Sequence, residues 1–321
     1  MLRGNLLAAT LAFASIISPA SAKDDYPQRP VTLVIPFAPG GSTDILGRLL
    51  AEEMSKRLGQ PVIVENKAGA AGNIGGSYVA RAKPDGYTLM VAAAGPTVIN
   101  PSLYQNMQFS PVTDLAPITA LTREHNVMAV NAATPINTLE EFIAYAKEKP
   151  VTFGSPGTGT PSHLSGELFN HMQGLDMTHV AYKGSGPAVV DLLAGHITVM
   201  IDNMPPLMAY IQSGALRPIA VPSPERSAAL PDTPTFKEAG VDDFSVMAWK
   251  GLMAPAGTPD SIIQKLYSVS TDILATPAMQ ARLTELGAEP HGNTPEEFAQ
   301  QIKDETQWWA ELIERTGTTL N

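Results

Sequence analysis

The sequence predicts an α/β protein with two domains, each a mainly parallel sheet flanked by helices. Short apolar runs that are typical of buried strands alternate along the chain with amphipathic segments of helical period. Two of these runs, one in each half, end in a glycine-rich turn and a helix start, at residues 36–44 and 154–163. The length of 321 residues also favours about two domains.

The first strand, turn and helix lie in residues 31–58. The run 31–37 is apolar apart from one threonine, which favours a strand covered on both faces. A Pro-Gly-Gly turn follows, and residues 42–44 (Ser-Thr-Asp) are all good N-caps for a helix whose apolar residues recur every three or four positions. Backbone N–H groups at such a helix start, together with the helix dipole, favour an anion.

The later elements follow the same alternation. The sequence predicts strands at 61–65, 87–93, 115–122, 127–130, 151–154, 178–181, 197–201, 218–221 and 244–253. It predicts helices at 73–82, near 104, from a capping box at 138 and 141 to 149, from 164 to 172, after 187, at 205–213, around 236, after an N-cap at 258 and after an N-cap at 294.

Residues 1–22 have the features of an export signal. Arg3 is followed by the apolar run 6–17 and by Ala20-Ser21-Ala22, a small-residue cleavage site. Cleavage after Ala22 leaves 321 − 22 = 299 residues. The chain has no cysteine, so an exported protein would depend on its core without disulfides. We therefore expect a periplasmic protein.

Charge and motifs exclude several classes of function. The formal net charge is −10 and no basic cluster occurs, which argues against nucleic acid and anionic membranes as partners. The turn 154–160 lacks the lysine of a phosphate-binding P-loop, and no H-E-x-x-H sequence or cysteine cluster is present. His171 and His179 are not spaced as metal ligands. We expect no cofactor and no metal.

The second glycine turn differs from the first in its side chains. It offers hydroxyl groups at Ser155, Thr158, Thr160 and Ser162 and an imidazole at His163. These groups can hydrogen-bond a carboxylate without adding a charge. In open α/β sheets, ligands bind beyond the carboxyl ends of the strands, so two such turns facing each other would bind one ligand between them.

Several motifs together resemble one family. They are P-F-A-P-G-G-S-T-D at 36–44, K-P-D-G-Y-T-L at 83–89, N-P-S-L-Y at 100–104, G-S-P-G-T-G-T-P-S-H-L at 154–164, V-A-Y-K-G at 180–184, L-P-D-T-P-T at 230–235 and W-K-G-L-M-A-P-A-G-T-P at 249–259. In this order they resemble the periplasmic solute receptors of tripartite tricarboxylate transporters, the Bug-type receptors. The resemblance spans the whole mature chain.

The resemblance implies a Venus-flytrap receptor, here expected to be a monomer, that binds a small organic carboxylate and delivers it to the membrane components of a tripartite transporter. It implies domain 1 at 23–122 and 243–321, and domain 2 at 123–242. The implied ligand-binding residues are Phe37, Ala38, Gly40, Gly41, Ser42, Thr43, Asp44, Ala94, Gly95, Ser155, Thr158, Gly159, Thr160, Ser162, His163, Tyr182, Gly184 and Asp202. A lone Asp202 would repel a carboxylate, so its residue type favours support of its own loop over a contact with the ligand.

The ligand and the partner stay open at this point. Family members often have Ser/Thr-Gly-x-His where this chain has A-A-G-P-T at 93–97, which hints at a less polar ligand such as an aromatic mono- or dicarboxylate. Citrate-like and amino-acid carboxylates are alternatives. A receptor that serves a membrane sensor would have the same sequence features. A hydrolase that uses Ser42 or Ser162 with His163 is a third possibility, although no G-x-S-x-G elbow occurs.

Overall fold

A computed structural model describes residues 26–242 and 244–316. The predicted signal peptide, 1–22, and its cleavage site lie outside the described residues. The strands are β1 (Val31–Ile35), β2 (Val62–Asn66), β3 (Thr88–Ala93), β4 (Leu115–Asn131), β5 (Val151–Ser155), β6 (Met177–Ala181), β7 (Val199–Asn203), β8 (Leu216–Ala220), β9 (Met247–Pro255) and β10 (Ala288–Pro290). The helices are α1 (Ser42–Leu58), α2 (Asn73–Ala80), α3 (Asn100–Leu103), α4 (Leu139–Glu148), α5 (Pro161–Gln173), α6 (Ser185–Ala194), α7 (Pro205–Gln212), α8 (Asp260–Leu274), α9 (Pro277–Glu285) and α10 (Pro295–Thr316).

The strands form one hydrogen-bonded series in the order β2-β1-β3-β9-β4-β7-β5-β6, and β8 and β10 pair with β4 beside this path. The outer strands pair in parallel, β1 with β2 and β3, and β5 with β6 and β7. The central pairs, which involve β4 and β9, are antiparallel. The predicted parallel units thus lie at the two ends and are joined by an antiparallel centre that the sequence did not indicate.

Strand β4 passes through both halves of the molecule. Its residues 115–125 pair with β9, and residues 126–130 pair with β7. The sequence predicts two strands here because polar residues interrupt the apolar pattern, but the segment stays extended and three of these polar side chains, Thr122, Glu124 and Asn126, are buried. The predicted domain division at 122/123 falls inside this strand.

Helices cover both faces of the sheet in each half. In the first half, α1, α8 and α9 enclose one core around Leu50 and Met54, and α10 with α2 and α3 encloses another around Phe298. In the second half, α4 and α5 cover a core with Phe169, and α6 and α7 cover a core with Leu207. This layered α/β arrangement agrees with the predicted fold class and leaves the strand ends of the two halves facing each other.

Two capping predictions are confirmed. At α10 the Thr294 hydroxyl accepts the Glu297 N–H at 3.2 Å, and the Glu297 carboxylate accepts the Thr294 N–H at 2.9 Å. The Thr138 hydroxyl accepts the Glu141 N–H at 3.1 Å, while the Glu141 carboxylate reaches Asn137. Both helices therefore begin where the capping pattern indicates.

Other predictions of local structure are wrong. The N-cap of α8 is Pro259, and the Thr258 hydroxyl donates to the Pro255 carbonyl instead. Residues around Phe236 form turns instead of a short helix. Helix α9 and strand β10 were not predicted. Among the described residues, no helix is both long and apolar enough to span a membrane.

Candidate functional site: the cleft between the two halves

The turn after β1 forms the first side of a cleft. Gly41 is the N-cap of α1, with φ −82° and ψ 169°, and no side chain caps this helix. The Asp44 carboxylate accepts the Gly40 N–H at 3.0 Å and the Arg48 guanidinium at 2.9 Å, and it also accepts the Asn66 amide at 2.8 Å. Burial opposes the charged form, but these donors prevail and lower the pKa of Asp44. Asp44 therefore holds the shape of the turn.

The first turn of α1 offers backbone donors to the cleft. Within the described part of the chain, the N–H groups of Gly41, Ser42 and Thr43 make no hydrogen bond. Such groups are available to an anion at a helix start. The Ser42 hydroxyl donates to Glu124 of β4, with Glu124 Oε2 as the acceptor.

The turn after β5 forms the second side. Thr160 is the N-cap of α5; its hydroxyl donates to the Gly157 carbonyl at 2.8 Å and accepts the His163 N–H at 3.3 Å. The Ser155 hydroxyl is held within this turn and lies 2.7 Å from Nε2 of His179. The turn is thus preorganised by its own side chains, and Ser162 in the first turn of α5 faces the cleft.

Asp202, at the end of β7, supports this second side. Its Oδ1 accepts the Ser162 hydroxyl at 2.5 Å and the Asn203 N–H at 2.8 Å. Asp202 is fully buried, and burial raises the pKa of its carboxyl while these donors act in the opposite direction. The arrangement mirrors Ser42 with Glu124: on each side, a serine at a helix start donates to a buried carboxylate.

The two sides touch, so the cleft is closed. The Ala38 N–H donates to the Lys183 carbonyl at 2.8 Å, and the Tyr104 hydroxyl donates to the Thr158 carbonyl at 2.8 Å. Gly186 packs so closely that a Cβ at this position would lie 2.2 Å from the Pro39 carbonyl oxygen.

One small cavity remains inside the closed cleft, with a volume of about 30 Å³. A water molecule needs about 10–15 Å³ on this measure, so the cavity has room for about two waters, and we expect a larger ligand to enter after the halves separate. The cavity is lined by Phe37, Gly41, Ser42, Thr43, Ala93, Ala94, Gly95, Pro156, Thr160, Pro161, Ser162, Ser185, Asn203, Ala248, Trp249 and Lys250.

The structure divides the residues of the expected site into three groups. Those that line the cavity are Phe37, Gly41, Ser42, Thr43, Ala94, Gly95, Thr160 and Ser162. Those that lie at contacts between the two sides are Ala38, Gly40, Thr158, Gly159 and Gly184. Those whose side chains are engaged behind the cleft are Asp44, Ser155, His163, Tyr182 and Asp202. Tyr182, for example, donates to Asp191 at 2.6 Å.

Sequence reasoning missed a buried ion pair at the floor of the cleft. Lys250 of β9 lies 2.8 Å from Glu124 of β4, and the two side chains are only 4% and 1% exposed. Lys250 also donates to the Asn203 Oδ1 at 3.3 Å. The polar sequence T-R-E-H-N at 122–126, inside an otherwise apolar strand, was the one available signal.

His163 lies in a wider groove beside α10, not in the closed cavity. His163, Glu167 and His179 bring possible metal-ligating atoms within 4.8 Å of one another. However, His163 Nδ1 accepts the Gly159 N–H at 3.3 Å, so the ring proton of neutral His163 is on Nε2, which faces Glu167. A metal-bound histidine instead donates from its second nitrogen. This hydrogen bond therefore disfavours a metal at the cluster.

Comparisons with known proteins agree with one another. The family model described as the tripartite tricarboxylate transporter family receptor matches residues 46–318. BugT of Bordetella pertussis is 38% identical over 97% of this chain and 96% of that protein.

Three solved structures are similar along nearly their whole length. The periplasmic binding protein BugD has a TM-score of 0.88 and 38% identity, covering 92% of this chain and 99% of that one. R. palustris Rpa4515 with adipate has a TM-score of 0.87 and 36% identity, covering 91% and 98%. MatC from Rhodopseudomonas palustris with bound malate has a TM-score of 0.83 and 34% identity, covering 90% and 100%. This chain belongs to the tripartite tricarboxylate transporter receptor family and is a solute-binding protein of the Bug type.

Proposed function

We propose that this receptor captures a small organic carboxylate in the cleft and delivers it to the membrane components of a tripartite tricarboxylate-type transporter. One observation carries the proposal: the N-terminal ends of three helices, α1, α5 and α6, converge on one cavity through Ser42, Ser162 and Ser185. Helix N-termini favour negative charge, and three of them around one cavity favour an anion strongly.

The donors of the proposed site come mainly from the backbone. The free N–H groups of Gly41, Ser42 and Thr43 are the donors proposed for one carboxylate. Ser162 faces them from the second side. In the closed form the Ser155 hydroxyl is engaged with His179 and Thr158 lies in the outer groove, so their predicted ligand contacts would require opening.

Relatives indicate a range of ligand sizes. Rpa4515 holds adipate and MatC holds malate, both dicarboxylates, and we propose a carboxylate of comparable size here. Phe37 and Trp249 also line the cavity and suit an apolar ligand body, so an aromatic mono- or dicarboxylate remains part of the proposal.

Capture by a closing cleft requires two domains and a hinge. We propose domain 1 at 23–122 and 243–321 and domain 2 at 123–242. The return of β9 to pair with β3 and β4 supports this division. The predicted signal peptide and the periplasmic relatives support action in the periplasm. We further propose that the receptor is a monomer.

The test is isothermal titration of refolded, ligand-free mature protein. The panel contains malate, adipate, citrate, succinate, glutamate, benzoate, nicotinate, phthalate and terephthalate. We expect one-to-one binding of one chemical class. If none of the nine carboxylates binds, the proposed ligand class is wrong.

A substitution at Gly186 tests whether the closed cleft is the bound state. In Gly186→Ala the new methyl group would lie 2.2 Å from the Pro39 carbonyl oxygen, but only when the cleft is closed. We expect affinity for the carboxylate to fall at least about tenfold while the protein stays folded. The control is Gly214→Ala, whose Cβ meets nothing within 4 Å; strain at its positive φ lowers stability by about 1 kcal/mol without changing affinity. Equal affinities of the two variants would contradict the proposal.

The hydrolase hypothesis receives little support from the geometry. The hydroxyls of Ser42 and Ser162 donate to the carboxylates of Glu124 and Asp202, so neither is hydrogen-bonded to His163, the base that this hypothesis requires. His163 accepts a backbone N–H behind the cleft. We propose that the protein is not an enzyme. Turnover of a chromogenic ester that stops in Ser162→Ala would reverse this conclusion.

A further inference from the structure

The ion pair of Glu124 and Lys250 connects both sides of the closed cleft. Glu124 Oε2 accepts from Lys250 and from the Ser42 hydroxyl at the start of α1. The Lys250 ammonium also donates to Asn203, whose amide donates to the Asn126 Oδ1 at 2.7 Å. The pair thus lies where β4 and β9 pass between the halves, and it is linked to both.

Lys250 has one feature that the other lining residues lack. Among the described residues that line the cavity, its side chain alone is charged. An ammonium has three N–H donors, and Glu124 and Asn203 accept two of them. Lys250 therefore retains one donor, on a buried cation beside a cavity that the three helix starts already make favourable to anions.

Glu124 occupies the position of an anion in this arrangement. Its carboxylate accepts from an ammonium and from a serine at a helix start, the same kinds of donor that a ligand carboxylate would use. It neutralises Lys250 as long as no other anion is present. A ligand carboxylate that approaches Lys250 then meets a competing negative charge, and like charges at one site disfavour each other.

We propose that Lys250 binds a carboxylate of the ligand and determines specificity for anions, and that Glu124 is the internal counter-ion of Lys250 in the ligand-free closed form. The inference rests on the proposed function, because it assumes that the ligand is a carboxylate held in this cleft. It adds a side-chain cation to a site otherwise built from backbone donors and hydroxyl groups.

The two partners should have opposite effects on binding. Glu124→Gln keeps the size and an acceptor oxygen but removes the competing charge, so affinity for a carboxylate should rise about tenfold. Lys250→Met removes the cation and should lower it about tenfold or more. Lys250→Met leaves the Glu124 carboxylate buried without its partner, which could prevent folding. The double variant Glu124→Gln/Lys250→Met removes the Lys250 cation without leaving a buried, unpaired carboxylate, and its comparison with Glu124→Gln measures the effect of the cation alone.

The experiment titrates the wild type and the three variants with the nine carboxylates named above and records their melting temperatures. Glu52→Gln and Lys56→Met are matched controls, because they remove the same charges from an exposed pair at 2.9 Å on α1. We expect the order of affinity to be Glu124→Gln, then the wild type, then the double variant, with the controls unchanged. The ligand-induced rise in melting temperature should be largest in Glu124→Gln.

Each alternative outcome has a distinct meaning. If the wild type binds a carboxylate but the double variant binds it as tightly as Glu124→Gln, Lys250 does not contact the ligand and the inference is wrong, while the receptor function stands. If Glu124→Gln and Lys250→Met weaken binding equally, the pair is only structural. If the wild type and all variants bind none of the nine, the proposed ligand class fails and this inference fails with it.

Discussion

His163 and His179 lie with their ring centroids 4.2 Å apart, and His179 also stacks on Phe153. Burial lowers the pKa of His163 to about 3, helped by His179, and burial lowers the pKa of His179 to about 4. Both rings are therefore neutral at pH 7. They pack as uncharged groups against the turn after β5 and so support the second side of the cleft.

These histidines make stability depend on pH. Their pKa is lower in the folded protein than the ordinary value of 6.5, so the unfolded chain binds protons first as the pH falls. The free energy of unfolding should be highest above pH 6.5 and should fall as the pH decreases from 6.5 towards 4, by at most about 1.4 kcal/mol per pH unit for each histidine.

Urea unfolding at pH 7, 6 and 5 measures this dependence. His179→Gln should flatten it, because the variant lacks one titrating ring and relieves the effect of that ring on His163. His196→Gln, at a side chain that is 70% exposed, is the control and should keep the slope of the wild type. An unchanged slope in His179→Gln would assign the pH dependence to other groups.

Some residues of the site could be predicted from the sequence and others could not. Gly41, Ser42 and Ser162 were predicted because a strand, a glycine turn and a helix start follow one another directly in the chain. Glu124 and Lys250 are 126 positions apart, and each by itself resembles an ordinary surface residue. Only the pairing of β4 with β9 brings them together, and no local pattern encodes that pairing.

At the scale of elements, β9 and α10 meet through one glycine. A Cβ on Gly251 would lie 2.3 Å from the Phe298 ring. Phe298 is fully buried and packs edge-on against Trp249, with ring centroids 5.3 Å apart. The ring cannot move away easily, so the contact sets how closely α10 approaches the sheet.

Gly251→Ala should lower the free energy of unfolding by about 1–3 kcal/mol, because it overpacks this contact. Thermal or urea unfolding measures the loss. The double variant Gly251→Ala/Phe298→Leu makes room for the methyl group and should be less destabilised than the two single variants add up to. If the destabilisation of the double variant equals the sum of the two single variants, contact with Phe298 is not the reason for a glycine at position 251.

Elements with strong local signals were predicted and those defined by tertiary contacts were not. The helices that begin at capping boxes, α4 and α10, were found because a few adjacent residues suffice. Strand β4 was predicted in two pieces, since the hydrogen-bond partners of its polar residues Glu124, His125 and Asn126 lie far away in the chain, at Ser42, Glu289 and Asn203. Strand β10 has three residues and is extended mainly because it pairs with β4.

For the whole molecule, contacts between the two halves hold the cleft closed. Tyr104→Phe removes the hydroxyl that donates to the Thr158 carbonyl at 2.8 Å. Losing one hydrogen bond of about 1 kcal/mol should raise the ratio of open to closed molecules about fivefold in the absence of ligand. A bound carboxylate should restore the closed form.

Distances between two spin labels measure this equilibrium. The chain has no cysteine, so Glu52→Cys in α1 and Glu148→Cys in α4 provide unique, exposed labelling sites in the two halves. The control is Tyr145→Phe in α4, remote from the cleft. If Tyr104→Phe has the same distance distribution as the control, this contact does not hold the closed form.

The two-domain arrangement could be predicted because the glycine turns recur once in each half and several motifs resemble one family in order. The closed state could not. Closure depends on contacts such as the hydrogen bond between Ala38 and Lys183, in which both partners use backbone atoms. Every residue type has these atoms except for the missing N–H of proline, so such contacts cannot be predicted from residue types.

The late position of β9 in the chain bears on how the protein is made. Strand β3 ends at Ala93, yet its neighbour in the sheet, β9, begins only at Met247. The sheet of the first half therefore stays incomplete until most of the polypeptide has been synthesised, and closing so long a loop slows folding. We therefore expect the nascent chain to complete its first half only late in synthesis, which suits the proposed export of the protein as an unfolded polypeptide.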